Sequence, residues 1–291
     1  MTLLQLVKLA MMASIFISVF ALAMRARTHD LFYLLDNWRL GVGALVAMYV
    51  VVPAVAVLLD KAFALHRPVE IALIAIAFSP MPPILPGKQL KAGGRPSYVA
   101  GLMMLTTAAA VVVAPLGIAL AGRIFGVEAG ISPVQIATLV GITVAAPLVL
   151  GMVAGKIAGE RGHAISSVLG IAGHAVLALS MLAIAIALAP AMWAVIGDGT
   201  GLALVALAGA GLGAGYLLGG PDLHDKAALS LAAASRHPGI AVAIATASFP
   251  DETLAPAAIA LGLIVSTLLG TPYLKVLMRA PHDEPVGPVT R

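Results

Sequence analysis

The residues best suited to chemistry lie in one short stretch, Ser235-Arg236-His237-Pro238-Gly239. An arginine binds anions through several N–H groups, and a histidine can donate a hydrogen bond or take up a proton near neutral pH. The flanking sequences, LSLAAA before and IAVAIA after, are apolar enough for the interior of a bilayer. Pro238 and Gly239 disfavour a helix at the same point. The pattern predicts a functional break inside a membrane span.

A second interrupted segment, VEIALIAIAFSPMPPILPGKQLKAGG, contains the basic residue Lys88 and four closely spaced prolines, Pro80, Pro82, Pro83 and Pro86. Each proline removes a backbone donor, so a continuous helix is excluded here. Unwound backbone at membrane depth is tolerated only inside protein or beside a water-filled cavity. Secondary transporters use a pair of such helices to bind substrate or ion. The alternative interpretation is that both are ordinary proline kinks. A pair of breaks that each carry a basic residue instead favours a binding site for substrate or ion.

The bases within these segments have no acidic partner in the sequence. None of the thirteen acidic residues falls in the middle of an apolar segment, and Glu70 comes closest. Arg236 and Lys88 must therefore meet water, helix carbonyls or an anionic ligand. Lys88 could instead extend its long stem to the interface. His237 and His174 are candidates for proton handling, although His174 could simply bond to a neighbouring helix.

The composition defines the class of protein. Of the 291 residues, 61% are hydrophobic and 10% are charged, whereas soluble domains carry about 25% charged residues. The absence of cysteine excludes disulfides and thiolate metal sites. The bases form no patch for nucleic acid, and no Walker motif for ATP occurs. No Ser/His/Asp or two-acid set lies in the spans, so we expect neither an enzyme nor a metal site.

Segments of about 20 apolar residues predict an all-α polytopic membrane protein. We predict nine crossings, at 2–24, 38–60, 69–94, 96–121, 132–156, 164–192, 199–219, 223–248 and 252–276. With the N-terminus outside and the C-terminus inside, the inner loops, the tail and the adjoining span ends hold eleven Lys and Arg, and the outer loops hold three. This asymmetry agrees with the positive-inside rule.

The chain resembles the bile acid:sodium symporter family through four stretches: VVVPAVAVLLDKAFAL, VEIALIAIAFSP, LTTAAAVVVAP and ASRHPGIAVAIATASF. The resemblance implies one transporter domain over 1–291 with a core, a panel and two broken helices that cross in the core. It also implies inverted repeats. Repeat one spans about 1–125 and lacks its first helix, repeat two spans about 131–278, and 279–291 forms a cytoplasmic tail.

The motifs depart from the family where sodium should bind. On this resemblance, Leu85-Pro86 replace a Ser-Asn pair and Met48 replaces a glutamine. Ala232, Arg236 and His237 stand in place of the Glu, Gln and Asn that hold sodium. Among the hydroxyls, Thr107 is retained. We therefore expect no cofactor, and we expect that most of the sodium ligands are absent. The side chain of Arg236 would then supply a positive charge in place of the sodium ion.

These observations predict a secondary transporter of small organic anions in the cell membrane, and a bacterial inner membrane fits the resemblance. Transport is expected to be facilitative or proton-linked. The expected substrate contacts are Arg236, His237, Ser235, Lys88 and Thr107. Two alternatives stay open: a sodium-coupled organic anion or bile acid symporter, and a non-transporting membrane sensor with a transporter fold.

Overall fold

The structure, a computed structural model, describes residues 3–25, 28–63, 65–125 and 132–279. Within these ranges every regular element is helical: α1 Leu3–Arg25, α2 Thr28–Asp36, α3 Trp38–Val46, α4 Val52–Ala62, α5 Arg67–Phe78, α6 Leu85–Lys91, α7 Pro96–Phe125, α8 Pro133–Val140, α9 Ala146–Ala158, α10 Arg161–Ala194, α11 Thr200–Leu218, α12 Leu223–Ala234, α13 Pro238–Ser248 and α14 Ala255–Leu277. Two π-helical segments, Ala47–Val51 and Gly141–Ala145, join α3 to α4 and α8 to α9.

Six helical segments of the described chain are long and apolar enough to cross a membrane: Trp38–Ala62, Pro96–Leu120, Arg161–Ala194, Thr200–Leu218, Leu223–Ser248 and Ala255–Leu277. The other three predicted crossings correspond to α1, to the broken pair α5 and α6, and to α8 with α9. Nine crossings therefore remain a prediction. Apart from Arg279, the predicted tail 279–291 lies outside the described residues.

One helix lies where the sequence predicted only a loop. The nine-residue helix α2 packs against α7 and buries Leu34, while Phe32 and Leu35 stay exposed. Its apolar residues are too few to span a bilayer, which explains why a search for spans missed it.

The helices pack as two groups. α1 packs against α9 and α10, and we call α1, α8, α9 and α10 the three-segment group, since α8 and α9 form one segment. The remaining helices, α2 to α7 and α11 to α14, form the crossing group. The two groups meet mainly where α7 contacts α8 and where α10 contacts α14. The breaks lie in the crossing group, and one cavity beside them is also lined by α1 and α10.

Glycines permit the closest helix contacts in the crossing group. A Cβ added at Gly215 would lie 2.2 Å from the Cα of Ser230, and one at Gly211 would lie 2.7 Å from the carbonyl of Ala233. These two glycines are four residues apart, so they share the face of α11 that packs on α12. Gly209 and Gly213 have no described atom within 4 Å of an added Cβ. Of the four alternating glycines in α11, only Gly211 and Gly215 therefore pack against α12.

An ion pair between an exposed arginine and a buried aspartate joins the start of α7 to α12. The Arg95 Nε donates to Asp225 Oδ1 at 3.1 Å, and Arg95 Nη2 donates to the other carboxylate oxygen. Asp225 is 1% exposed, and the guanidinium also lies over the ring of Tyr33 in α2. The hydrogen bond to Asp225 raises the pKa of Arg95 above its ordinary value. The ion pair and the ring contact together join α2, the start of α7 and α12.

The α11–α12 contact predicts different outcomes for neighbouring glycines. Gly215→Ala should lower the melting temperature, because the new methyl group would collide with the backbone of α12. Overpacking of this kind destabilises by roughly 1–3 kcal/mol. Gly213→Ala is the matched control and should keep the melting temperature or raise it slightly, because the new methyl group meets no neighbour and alanine favours a helix more than glycine does. Equal melting temperatures for the two detergent-purified variants would contradict the assignment of the packing face.

Candidate functional site

The two helix breaks contact each other. α5 ends at Phe78 and α6 begins at Leu85, whereas α12 ends at Ala234 and α13 begins at Pro238. The backbone N–H of His237 donates to the carbonyl of Pro80 at 2.8 Å, so the two unwound stretches are hydrogen-bonded together. α5 packs on α13 and α6 on α12. Four helix ends, with their unpaired backbone groups, therefore meet in the protein interior.

Arg236 lies at this crossing and is 4% exposed. Its Nη1 donates to the carbonyl of Ser79 at 3.1 Å, and its Nη2 donates to the carbonyl of Met48. The guanidinium carbon lies 5.3 Å from the ring centroid of Tyr49, within the range of a cation–π contact. Ser79 caps the C-terminal end of α5, where the helix dipole favours a cation. Carbonyl oxygens and an aromatic face thus hold the positive charge.

A π-helical segment supplies two of these partners. Met48 and Tyr49 both belong to Ala47–Val51, and both side chains are buried. The hydroxyl of Tyr49 donates to the carbonyl of Thr106 at 2.7 Å, which connects the segment to α7. Single π-helical turns inside α-helices are frequent at functional sites. The segment links the crossing to α7.

His237 is 2% exposed and caps α13. Its Nδ1 accepts a hydrogen bond from the backbone N–H of Ile240 at 3.3 Å. Because Nδ1 is the acceptor, the neutral ring carries its proton on Nε2. Nε2 is buried and has no hydrogen-bond partner in the described part of the chain. The ring therefore offers one unused N–H donor.

Two cavities lie beside the crossing. The small cavity, about 60 Å³, is lined by both breaks and by residues of α1, α10 and α14. The large cavity, about 600 Å³, lies between α6, α12 and α14. Lys88 and Ser235 line both, so the cavities adjoin. His237 lines the small cavity.

The large cavity combines bases, hydroxyls and apolar side chains. Lys88, Lys91 and Lys275 line it, together with the hydroxyl residues Ser235, Ser266, Thr267 and Thr271. Leu85, Leu231, Leu274 and Met278 supply apolar lining. No Asp or Glu is among the described residues that line either cavity. This combination suits an anion that also has an apolar part.

The structure brings together four of the five expected contact residues. Ser235, Arg236 and His237 form the second break, and Lys88 lies across the cavities from them. Thr107 is buried in α7, lines neither cavity, and its hydroxyl has no hydrogen-bond partner among the described residues. His174 bonds to the carbonyl of Gly170 at 2.6 Å and lies 3.4 Å from that of Pro83, so it contacts its own turn and the first break.

Sequence reasoning missed the carbonyl of Met48, the ring of Tyr49 and the second and third lysines of the large cavity. Pro53, which has no N–H, leaves a carbonyl of the preceding turn without its helical partner, but the sequence did not indicate that this would be Met48 or that Arg236 would bind it. Lys91 and Lys275 counted only as bases at the inner ends of predicted spans, and their distance along the chain hides their shared cavity. A signal for Lys91 existed in its spacing of three residues from Lys88, which places both on one side of a helix.

An all-helical membrane protein with two broken helices that contact each other in its interior is the class that the fold defines. A family model described as the Sodium Bile acid symporter family matches residues 1–197, and the chain belongs to that family. Members are membrane transporters rather than enzymes, and membership indicates a multi-pass transporter of bile-acid or organic-anion type. No curated protein matches the chain. The matched region contains the first break and ends before the second.

The surroundings of Arg236 predict a rescue by a diffusible cation. Arg236→Ala should lower the melting temperature, because the carbonyls of Ser79 and Met48 lose charged donors, which are worth roughly 1.5–3 kcal/mol each. Millimolar guanidinium should then restore part of the loss by entering the vacated space. Arg236→Lys, which keeps the charge on fewer donors, should fall between wild type and Arg236→Ala.

The control is Arg39→Ala, which removes an arginine that lies over the exposed ring of Trp38. This variant should keep the wild-type melting temperature and should not respond to guanidinium. An unchanged melting temperature for Arg236→Ala, or the same guanidinium response in both variants, would refute the role of Arg236 at the crossing.

Proposed function

We propose that this protein transports small organic anions by alternating access and that sodium does not drive it. The observation that carries the proposal is the guanidinium of Arg236, bonded to backbone carbonyls at the crossing of the two breaks. On the family resemblance, this region should hold sodium. A fixed positive charge now occupies carbonyl oxygens that a hard cation would need, and it would repel a sodium ion nearby.

The hydrogen bonds of His237 favour facilitative transport over proton coupling. Protonation would require a hydrogen on Nδ1, which already accepts from Ile240 at the N-terminus of α13. The resulting positive charge would lie beside Arg236 and at the positive end of a helix dipole. We infer that His237 stays neutral and uses its Nε2–H as a hydrogen-bond donor. Proton-linked transport remains the less favoured form of the proposal.

The two cavities support an amphipathic organic anion as substrate. The large cavity, at about 600 Å³, falls within the range of small-molecule sites. Lysine ammonium groups can attract the anionic group, while the leucine side chains can contact its apolar part. Lys88 and Ser235 would then contact the substrate directly, and His237 could donate from the small cavity. Arg236 lines neither cavity, so its expected substrate contact becomes a supporting role within this proposal.

The packing supports rocking between two bodies as the transport motion. In this proposal, the three-segment group is the panel and the crossing group is the core, with nine crossings, the N-terminus outside and repeats over about 1–125 and 131–278. α14 lines both cavities, and α1 and α10 line the small one. The small cavity would therefore lie between the two bodies, where alternating access would change its exposure, and the large cavity adjoins it within the core. A bacterial inner membrane is part of the same proposal.

Sodium coupling through backbone carbonyls and Thr107 is the second candidate. One observation favours it: the hydroxyl of Thr107 is buried without a hydrogen-bond partner in the described part of the chain. A non-transporting sensor is less favoured, since a decayed site would seldom keep a cavity lined by three lysines and no described acid.

The proposal predicts binding and uptake without sodium. A thermal-shift screen of bile-acid, sulfate-ester and keto-acid anions should give the same best ligand in sodium and in potassium buffer. Uptake of that ligand into proteoliposomes should persist when potassium replaces sodium, and an imposed pH gradient should not drive accumulation. Strict dependence on sodium would overturn the proposal, accumulation driven by protons would favour the proton-linked form, and binding without uptake would favour the sensor.

The large cavity predicts a charge effect on substrate affinity. Lys88→Gln should raise the KM of the anion roughly three- to tenfold, because a charge-assisted contact is lost while a polar side chain remains. Lys226→Gln is the control, since Lys226 lies over the ring of Tyr216 and lines neither cavity. The same KM in both variants would exclude Lys88 as a substrate contact.

A further inference from the structure

A third cavity lies away from the crossing, between the two groups of helices. It has a volume of about 160 Å³ and is lined by residues of α1, α6, α7 and α9. Its lining is apolar except for Arg25, the one charged residue among the described lining residues. Lys88, Ser235 and His237 do not line it, so it is separate from the proposed substrate cavities. We call it the seam pocket.

The seam pocket runs inward from one end of the helices. Arg25 is the last residue of α1, and Pro96 is the first residue of α7. Met104 lies eight residues beyond Pro96, which corresponds to about 12 Å along the helix. Val19, six residues before Arg25, lines the pocket at a similar depth. The pocket is therefore a narrow apolar space with a single base at its interfacial end.

The guanidinium of Arg25 is positioned by hydroxyls rather than by a carboxylate. Its Nε donates to the hydroxyl of Ser166 at 2.7 Å, and its Nη2 donates to that of Ser167. Among the described residues, no acidic side chain forms an ion pair with it. A guanidinium has five N–H donors, so donors remain for a ligand. An uncompensated arginine flanked by hydroxyls at a membrane interface suits a phosphate group.

We propose that the seam pocket binds an anionic phospholipid, with one acyl chain in the apolar space and the phosphate on Arg25. Basic pockets between helices near the membrane surface bind anionic lipid headgroups. The acyl chain of the lipid would contact α1 and α9 in the three-segment group and α6 and α7 in the crossing group. A bound lipid therefore connects the two groups and stabilises the arrangement seen here. The inference does not rest on transport of any anion.

The test compares lipids added to the detergent-purified full chain. Dioleoyl phosphatidylglycerol should raise the melting temperature by several degrees more than dioleoyl phosphatidylcholine, and native mass spectrometry should retain the former lipid selectively. Arg25→Gln should abolish this difference and weaken phosphatidylglycerol binding at least fivefold. Arg39→Gln, which removes another arginine near a helix end, should behave as wild type.

A second variant tests the acyl chain independently of the charge. Ala100→Phe should fill the pocket, since Ala100 lines it, and should also abolish the selective shift while Arg25 remains. Equal shifts with the two lipids, or a full shift in Arg25→Gln, would overturn the proposal. Oleate as effective as phosphatidylglycerol would show a single-chain carboxylate site instead and would also overturn it. Each measurement reports lipid binding, so a failure of anion uptake would not change the conclusion about the seam pocket.

Discussion

The structure depends on one requirement: the backbone N–H and C=O groups of the unwound segments need hydrogen-bond partners in the interior of a membrane protein. Two membrane helices break where they meet, and the carbonyls left without helical hydrogen bonds lie in the protein interior. Some of these groups are satisfied by the other break, as in the hydrogen bond from His237 to Pro80. Arg236 satisfies two more carbonyls, at Ser79 and Met48, and so connects three segments of chain. Without such donors, each buried unpaired group would be expensive.

The same contacts explain why an arginine can be tolerated at this depth. A guanidinium is costly in an apolar interior unless it is paired or solvated. Here carbonyl oxygens at a helix C-terminus and the face of Tyr49 replace the water. The charge and the unpaired backbone therefore compensate each other. Neither would be stable alone, so the helix breaks and Arg236 must be considered as one unit.

The basic side chains near the two breaks lie in two places that differ in their exposure to solvent. Arg236 is buried and held by the protein's own carbonyls, whereas Lys88, Lys91 and Lys275 line an open cavity with flexible ammonium groups. A buried guanidinium bonded in this way is suited to a structural role. Exposed lysines beside leucine side chains are suited to exchange with a ligand. In the proposed function, the cavity binds the anion and the crossing supports the structure around it.

The sequence alone determined the features that depend on local chemistry. Pro238, Gly239 and the prolines of the first segment break helices wherever they occur, and the long apolar segments predict a helical membrane protein. The tertiary structure decided which groups meet. The carbonyl of Met48 lies 188 residues from Arg236, and no local pattern connects the two. Lys275 joins Lys88 only after folding, and only packing distinguishes Gly215 from Gly213. Contacts between distant segments follow from how helices pack, and local residue patterns do not specify them.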